Sequence, residues 1–166
     1  YVQLLLKSKC DIHLKNKNGL NAIDLAISYN RKNMIWNLLK YGAKIPDTID
    51  SVPAIHYAIE SENVRLLKYL LRKKVNLEKT NENGKTPLYF AIELKKHAIA
   101  KLLIQQKADI NSKNDTNEDT PLHLAVFKNS IHMANYLLRY KADINSKNNQ
   151  GNTPLIYAVK ENNYKM

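Results

Sequence analysis

One hexapeptide occurs three times in phase: Thr86-Pro87-Leu88-Tyr89-Phe90-Ala91, Thr120-Pro121-Leu122-His123-Leu124-Ala125 and Thr153-Pro154-Leu155-Ile156-Tyr157-Ala158, at spacings of 34 and 33 residues. Two weaker copies precede them, Asn21-Ala22-Ile23-Asp24-Leu25-Ala26 and Pro53-Ala54-Ile55-His56-Tyr57-Ala58, so that an alanine recurs at 26, 58, 91, 125 and 158. A second block keeps the same phase: Leu5-Leu6, Leu38-Leu39, Leu70-Leu71, Leu103-Ile104 and Leu137-Leu138. Each pair is followed four residues on by a small or modest side chain, namely Cys10, Ala43, Val75, Ala108 or Ala142. A period of 32 to 34 residues is too short for a self-sufficient core, and it points to like units that bury their apolar faces on one another.

The residues within one period say what the unit is. Thr86, Thr120 and Thr153 each precede a proline. A threonine at the N-cap satisfies one orphan amide of a helix start, and a proline at the first helical position omits another. A helix of about two turns is expected there, with Leu88, Ala91 and Ile92 on its inner face. A polar residue (Asn30, Glu62, Lys95, Asn129 or Asn162) then marks a turn into a second helix, which buries Ile99, Leu102, Leu103 and Ile104. Neither helix is long enough to stand alone. Gly19, Gly84 and Gly151 precede the hexapeptide block and Gly42 follows a second helix, positions where a turn asks for positive φ. Lys9, Lys74, Lys107 and Lys141 occupy the place of Gly42 in the other copies and are expected to be left-handed as well. Cys10 stands where other copies have alanine or valine, and is expected to be a buried small side chain.

These motifs resemble the ankyrin repeat family, whose signature contains T-P-L-H-x-A and whose unit is a turn followed by two antiparallel helices. The resemblance covers the whole chain. It implies an all-α solenoid of stacked helix-turn-helix units with β-turn fingers, divided as 1–12 (end of repeat 1), 13–45, 46–77, 78–110, 111–144 and 145–166 (start of repeat 6). On that division the chain reads as a piece of a longer array, lacking a polar cap at either end.

Composition adds limits. Apolar residues at 44% and charged residues at 25% suit a packed chain. No apolar run approaches a bilayer span, and the opening residues do not read as a signal peptide. A single cysteine excludes an internal disulfide and fits a reducing, intracellular compartment. No phosphate-binding glycine loop, HExxH or CxxC occurs, so no enzyme, cofactor or metal is expected. His56 and His123, at the fourth position of the hexapeptide, read as structural, and His13, His97 and His132 as solvated residues. Asn114-Asp115-Thr116 matches a glycosylation sequon, which an intracellular chain would not use. The net charge of +11 comes from 22 lysines and only four arginines against 15 acidic residues. Many of those cations fall at second-helix C-termini, where the helix dipole favours them. Arginine is scarce and aromatics are not interleaved with the basic residues, so nucleic acid is not the expected partner.

The family resemblance implies instead that a protein partner docks on the fingers and the exposed side of the first helices. The candidate contacts are Asn18, Leu20 and Tyr29; Glu82, Asn83, Lys85 and Leu94; Asn117, Asp119, Phe127 and Lys128; and Gln150, with Asp50 and Glu161 on the same face. Leu94 and Phe127 project from neighbouring first helices and are expected to form one apolar anchor with Glu82, Asn83, Asn117 and Asp119 around it. Two fingers depart from the pattern. Lys44 to Pro53 is one residue short, with two prolines and no glycine; Asp109 to Asp119 is one residue long, also without glycine. The expected state is a monomer. The alternative function is a targeting or regulatory array, such as a host-directed adaptor, serving a larger enzyme or effector.

Overall fold

The computed structural model describes residues 1–49 and 52–160; the candidates Asp50 and Glu161, and the turn residue Asn162, lie outside the described residues. Two compact units divide the chain, Tyr1–Lys73 and Lys74–Met166. The first contains α1 (Val2–Lys7), α2 (Ala22–Ser28), α3 (Lys32–Lys40), β1 (Thr48–Ile49), β2 (Val52–Pro53), α4 (Ala54–Glu60) and α5 (Val64–Arg72). The second contains α6 (Pro87–Glu93), α7 (His97–Gln105), α8 (Pro121–Phe127), α9 (Ile131–Arg139) and α10 (Pro154–Lys160).

The helices alternate in two fixed lengths. Every first helix, α2, α4, α6, α8 and α10, has seven residues, and every second helix, α3, α5, α7 and α9, has nine. Starts and stops are chemically set. Thr86 and Thr120 accept from the amides of Tyr89 and His123 as N-caps, each with proline next in the chain. Asn21 does the same work with Asp24 in a capping box. The polar residues between paired helices are all left-handed: Asn30, Glu62, Lys95 and Asn129 have φ of 49°, 50°, 58° and 51°. One such residue in a three-residue link reverses the chain and lets the second helix fold back on the first.

In the first unit α2 packs on α3, α4 on α5, and α3 on α5. Tyr57 reaches from α4 to donate to the Ile27 carbonyl at 2.6 Å. The short second finger becomes an antiparallel β1–β2 pair, Thr48 opposite Pro53 and Ile49 opposite Val52. Pro53 offers no side-chain cap to α4, and the first amide of that helix instead donates to the Asp47 carbonyl at 3.0 Å. Cys10 is exposed, contrary to the expectation that it packs as a buried small residue. It follows α1, of whose side chains only Leu6 is buried, whereas the buried Ala43, Ala108 and Ala142 follow second helices with three or four buried residues each.

In the second unit α6 pairs with α7 and α8 with α9, while α6, α8 and α10 pack in succession. Ala91 and Ala125, at the recurring alanine position, have no exposed surface, so the first helices approach at their narrowest side chain. α10 is less covered than α8: Leu155 is 71% exposed, whereas its counterpart Leu122 is 3% exposed, and Leu155 borders an open groove with Val126, Ile131 and Leu138 of α8 and α9.

Two stability outcomes follow from the left-handed positions. Lys107, at φ +66°, should gain about 1 kcal/mol on replacement by glycine, even though a cation leaves the α7 C-terminus. Gly84→Ala and Gly151→Ala share a positive φ, but a methyl at Gly84 meets the Asp115 Cβ at 2.3 Å whereas one at Gly151 meets nothing within 4 Å. Urea unfolding should therefore show a cost of about 1 kcal/mol for Gly151→Ala and a clearly larger one for Gly84→Ala.

Candidate functional site: the finger face of the second unit

The fingers of the second unit are built on asparagine. The Asn81 Oδ1 accepts from the amides of Asn83 and Lys85 at 3.1 and 3.0 Å. Asn148 Oδ1 accepts from Gln150 and Asn152 at 3.0 and 2.9 Å. The long finger keeps the device with one more residue inside it: Asn114 Oδ1 accepts from Asn117 and Asp119 at 3.3 and 3.0 Å. Glu118 takes the left-handed place there, at φ +58°, where the regular fingers have Gly84 and Gly151. Side chains of this kind mimic a backbone turn. Because Asn114 is only 4% exposed and spends its carbonyl inside the finger, the sequon at this position is structural.

Backbone bonds join each finger to the one before. The Asp115 amide donates to the Gly84 carbonyl at 3.0 Å, and the Asn149 amide to the Asn117 carbonyl at 3.0 Å. His123 completes the frame. Its Nε2 lies 2.9 Å from the Asn152 carbonyl and its Nδ1 lies 2.8 Å from Thr120 Oγ1. A carbonyl can only accept, so the ring proton sits on Nε2, and Nδ1 accepts from Thr120. The ring is thereby a fully buried strut between a helix start and the next finger.

Between the fingers and the first helices lies a recess of about 170 Å³, bounded by Tyr89, Glu93, Asn117, Asp119, Leu124, Phe127, Lys128 and Tyr157. Phe127 is 49% exposed and stands edge-to-face with Tyr157, ring centroids 6.3 Å apart. Lys128 Nζ lies 5.8 Å from the Phe127 ring centroid, a cation–π distance. Lys85 bridges to Glu93 at 2.7 Å along one edge. Burial, followed by the charges of Asp119 and Glu93, pushes the Tyr89 hydroxyl far above the ordinary phenol range, so it stays a donor at any physiological pH.

Asp119 sits underneath this recess and does not face outward. It is 5% exposed; its carboxylate accepts from Asn117, from Asn148 Nδ2 at 2.9 Å and from the Tyr157 hydroxyl at 3.1 Å. Three of the carboxylate's roughly four acceptor sites are thus taken by neighbouring side chains, and it acts by holding Asn117 and Tyr157 in place.

The structure thus brings Asn117, Phe127 and Lys128 together around Asp119 and adds Tyr89, Glu93, Leu124 and Tyr157. Leu94, expected to share an anchor with Phe127, is half-buried as the C-cap of α6 and does not line the recess. Glu82, Asn83 and Gln150 are exposed at finger tips, and Lys85 is half-buried in its ion pair. Asn18, Leu20 and Tyr29 are exposed in the first unit. Sequence reasoning missed the asparagines, although Asn16, Asn81 and Asn148 each stand three residues before a glycine. Asn16 accepts from Asn18 and Leu20 in the same way.

The family model for ankyrin repeats (3 copies) matches residues 47–114 and 108–166. Among curated proteins, a putative ankyrin repeat protein of fowlpox virus (strain NVSL) is 31% identical over 106 residues, covering 62% of this chain and 72% of that one. The potassium channel AKT2/3 of Arabidopsis thaliana is 31% identical over 117 residues, covering 70% of this chain but only 14% of the channel. The ankyrin repeat domain of Bcl-3, described as a unique member of the IkappaB protein family, superposes with a TM-score of 0.75 at 24% identity, over 95% of this chain and 71% of that one. No helix among the described residues is long and apolar enough to cross a membrane.

Removing the Tyr157 hydroxyl tests the buried hub. Tyr157→Phe should lose about 1 kcal/mol of stability, and Asp119→Ala more, since it strands the donors of Asn148 and Asn117; thermal or urea unfolding reads both.

Proposed function

Because this chain belongs to the ankyrin-repeat family, we propose that it is a protein-binding module whose main contact lies on the finger face of the second unit. Ankyrin repeats are in general protein–protein interaction modules, and nothing in that role requires a catalytic group. The observation that carries the assignment is the half-exposed Phe127 ring in the recess, backed by Tyr157 and edged by Asn117, Glu93 and Lys128. An aromatic anchor in a concave site with a polar rim is the usual anatomy of an interaction hot spot. Glu82, Asn83, Lys85 and Gln150 serve as rim contacts, Leu94 as a flank, and Asp119 as the residue that positions the rim. Asn18, Leu20 and Tyr29 offer a further contact set on the first unit. A protein with this surface needs no cofactor, acts as a monomer and works inside a cell, a host cell included.

The fowlpox relative and the potassium channel show two settings in which such repeats occur, one mostly repeat and one in which they match a small part. The chain spans about a seventh of the channel, so an array serving a larger effector is the second reading.

Phe127→Ser separates contact from packing. The ring is only half-covered, so the substitution should cost about 1 kcal/mol of stability while lowering affinity for a protein isolated by affinity capture on the parent chain by at least about tenfold. Lys101→Ser, on a second helix, should leave binding unchanged. Equal binding by folded Phe127→Ser and parent protein would remove this face from consideration.

A further inference from the structure

At the other end of the first helices in the second unit, the turns from α6 to α7 and from α8 to α9 enclose a separate recess of about 190 Å³. Buried Ile92 forms its floor, and Lys95, His97, Lys128, Asn129 and Ser130 form its walls. Three of these side chains can carry positive charge and none can carry negative charge, while Asn129 and Ser130 add amide and hydroxyl donors. Ser130 Oγ and His97 Nε2 lie 3.5 Å apart, so one acceptor placed between them would meet both. We propose that this recess binds a phosphate group.

Three observations support a ligand of that charge. First, Glu93, the carboxylate nearest in sequence to the α6–α7 turn, is bridged to Lys85, and Glu118 to Lys113. Second, basicity here is not imposed by the fold. The matching turns of the first unit carry Asn30 and Lys32 on one side and Ser61, Glu62 and Asn63 on the other, a set with one lysine and one glutamate. Third, Lys95 occupies a left-handed position, φ +58°, that Asn30, Glu62 and Asn129 hold in other repeats. Asparagine tolerates that backbone better than lysine does, so the ammonium is kept at some conformational cost. The net charge of +11 would draw an anion toward such a site from a distance. A dianion beside the Lys95 ammonium, the His97 imidazole and the Ser130 hydroxyl would make charge-assisted hydrogen bonds, roughly twice as strong as neutral ones. Lys128 borders both recesses, but Lys95 and His97 belong to no proposed protein contact, so variants there test this inference alone.

The test is a titration of the whole chain with inorganic phosphate in low-salt buffer, followed by backbone amide NMR shifts. The expected result is a saturable response centred on Ile92, Lys95, His97, Asn129 and Ser130. The double variant Lys95→Asn/His97→Gln should bind at least about tenfold more weakly, with an unfolding midpoint no lower than the parent's. Lys107→Asn, at a left-handed lysine outside the recess, should bind as the parent does. Lys95→Asn alone serves if the double variant unfolds, because Asn30 and Asn129 show that the turn accepts it. A parallel titration with O-phosphoserine distinguishes the sources: binding at least as tight as inorganic phosphate assigns the group to a modified peptide, and exclusion of phosphoserine assigns it to the free ion. Shifts that spread over every lysine-rich turn without saturating, or equal affinity in the folded double variant, would overturn the proposal.

Discussion

A helix of seven or nine residues does not persist in water by itself, and every helix here exists because a near-copy of itself covers its apolar face. The narrowest point of that covering is the recurring alanine, with Ala58, Ala91 and Ala125 wholly removed from solvent. A larger side chain there would hold neighbouring helices apart and open the contact along their whole length. The left-handed link residues serve the same end, since a reversal in three residues is what brings each second helix back onto its own first helix. Stability in such a fold is close to a sum of unit and neighbour terms.

What could be read in the sequence is what this covering requires of every unit. The alanine register, the threonine–proline helix starts, the paired leucines and the left-handed turn residues recur because each copy must solve the same packing problem, and the structure has them where the pattern set them. Properties that depend on one neighbour in particular were not legible. Cys10 has the right phase for burial, but phase cannot report how little of α1 is covered, with Leu6 its one buried side chain. Asp119 reads as an exposed finger acid; only the arrival of Asn148 and Tyr157 from the next repeat makes it a buried acceptor. Leu94 and Phe127 read as a pair, but in register Phe127 matches Glu93 and Leu94 matches Lys128: Phe127 ends α8 and borders the recess, whereas Leu94 is the C-cap of α6 and does not. The asparagines that shape the fingers were visible in principle, but glycine is the louder turn signal and drew attention away from them.

The two ends of the first helices use their surfaces differently. At the finger end of the second unit, side-chain amides and one carboxylate satisfy the turns internally, so rigid loops present neutral and acidic tips around an aromatic ring. At the link end the turns carry lysines with no carboxylate among them. A basic chain can in this way offer two chemically distinct surfaces on one short stack without any change in its repeating frame.

The bond from the Asp115 amide to the Gly84 carbonyl brings two finger backbones so close that only a residue without Cβ fits at 84. One finger later the chain carries an extra residue, the acceptor moves back to Asn117, and the left-handed place is held by a glutamate. Loop length in one repeat and residue identity in its neighbour are therefore inherited as a pair. Repeats of this kind are not freely interchangeable bricks: a graft or a recombination that moves one finger without its predecessor carries half of a matched set, and only crossovers that keep adjacent fingers together preserve the seam.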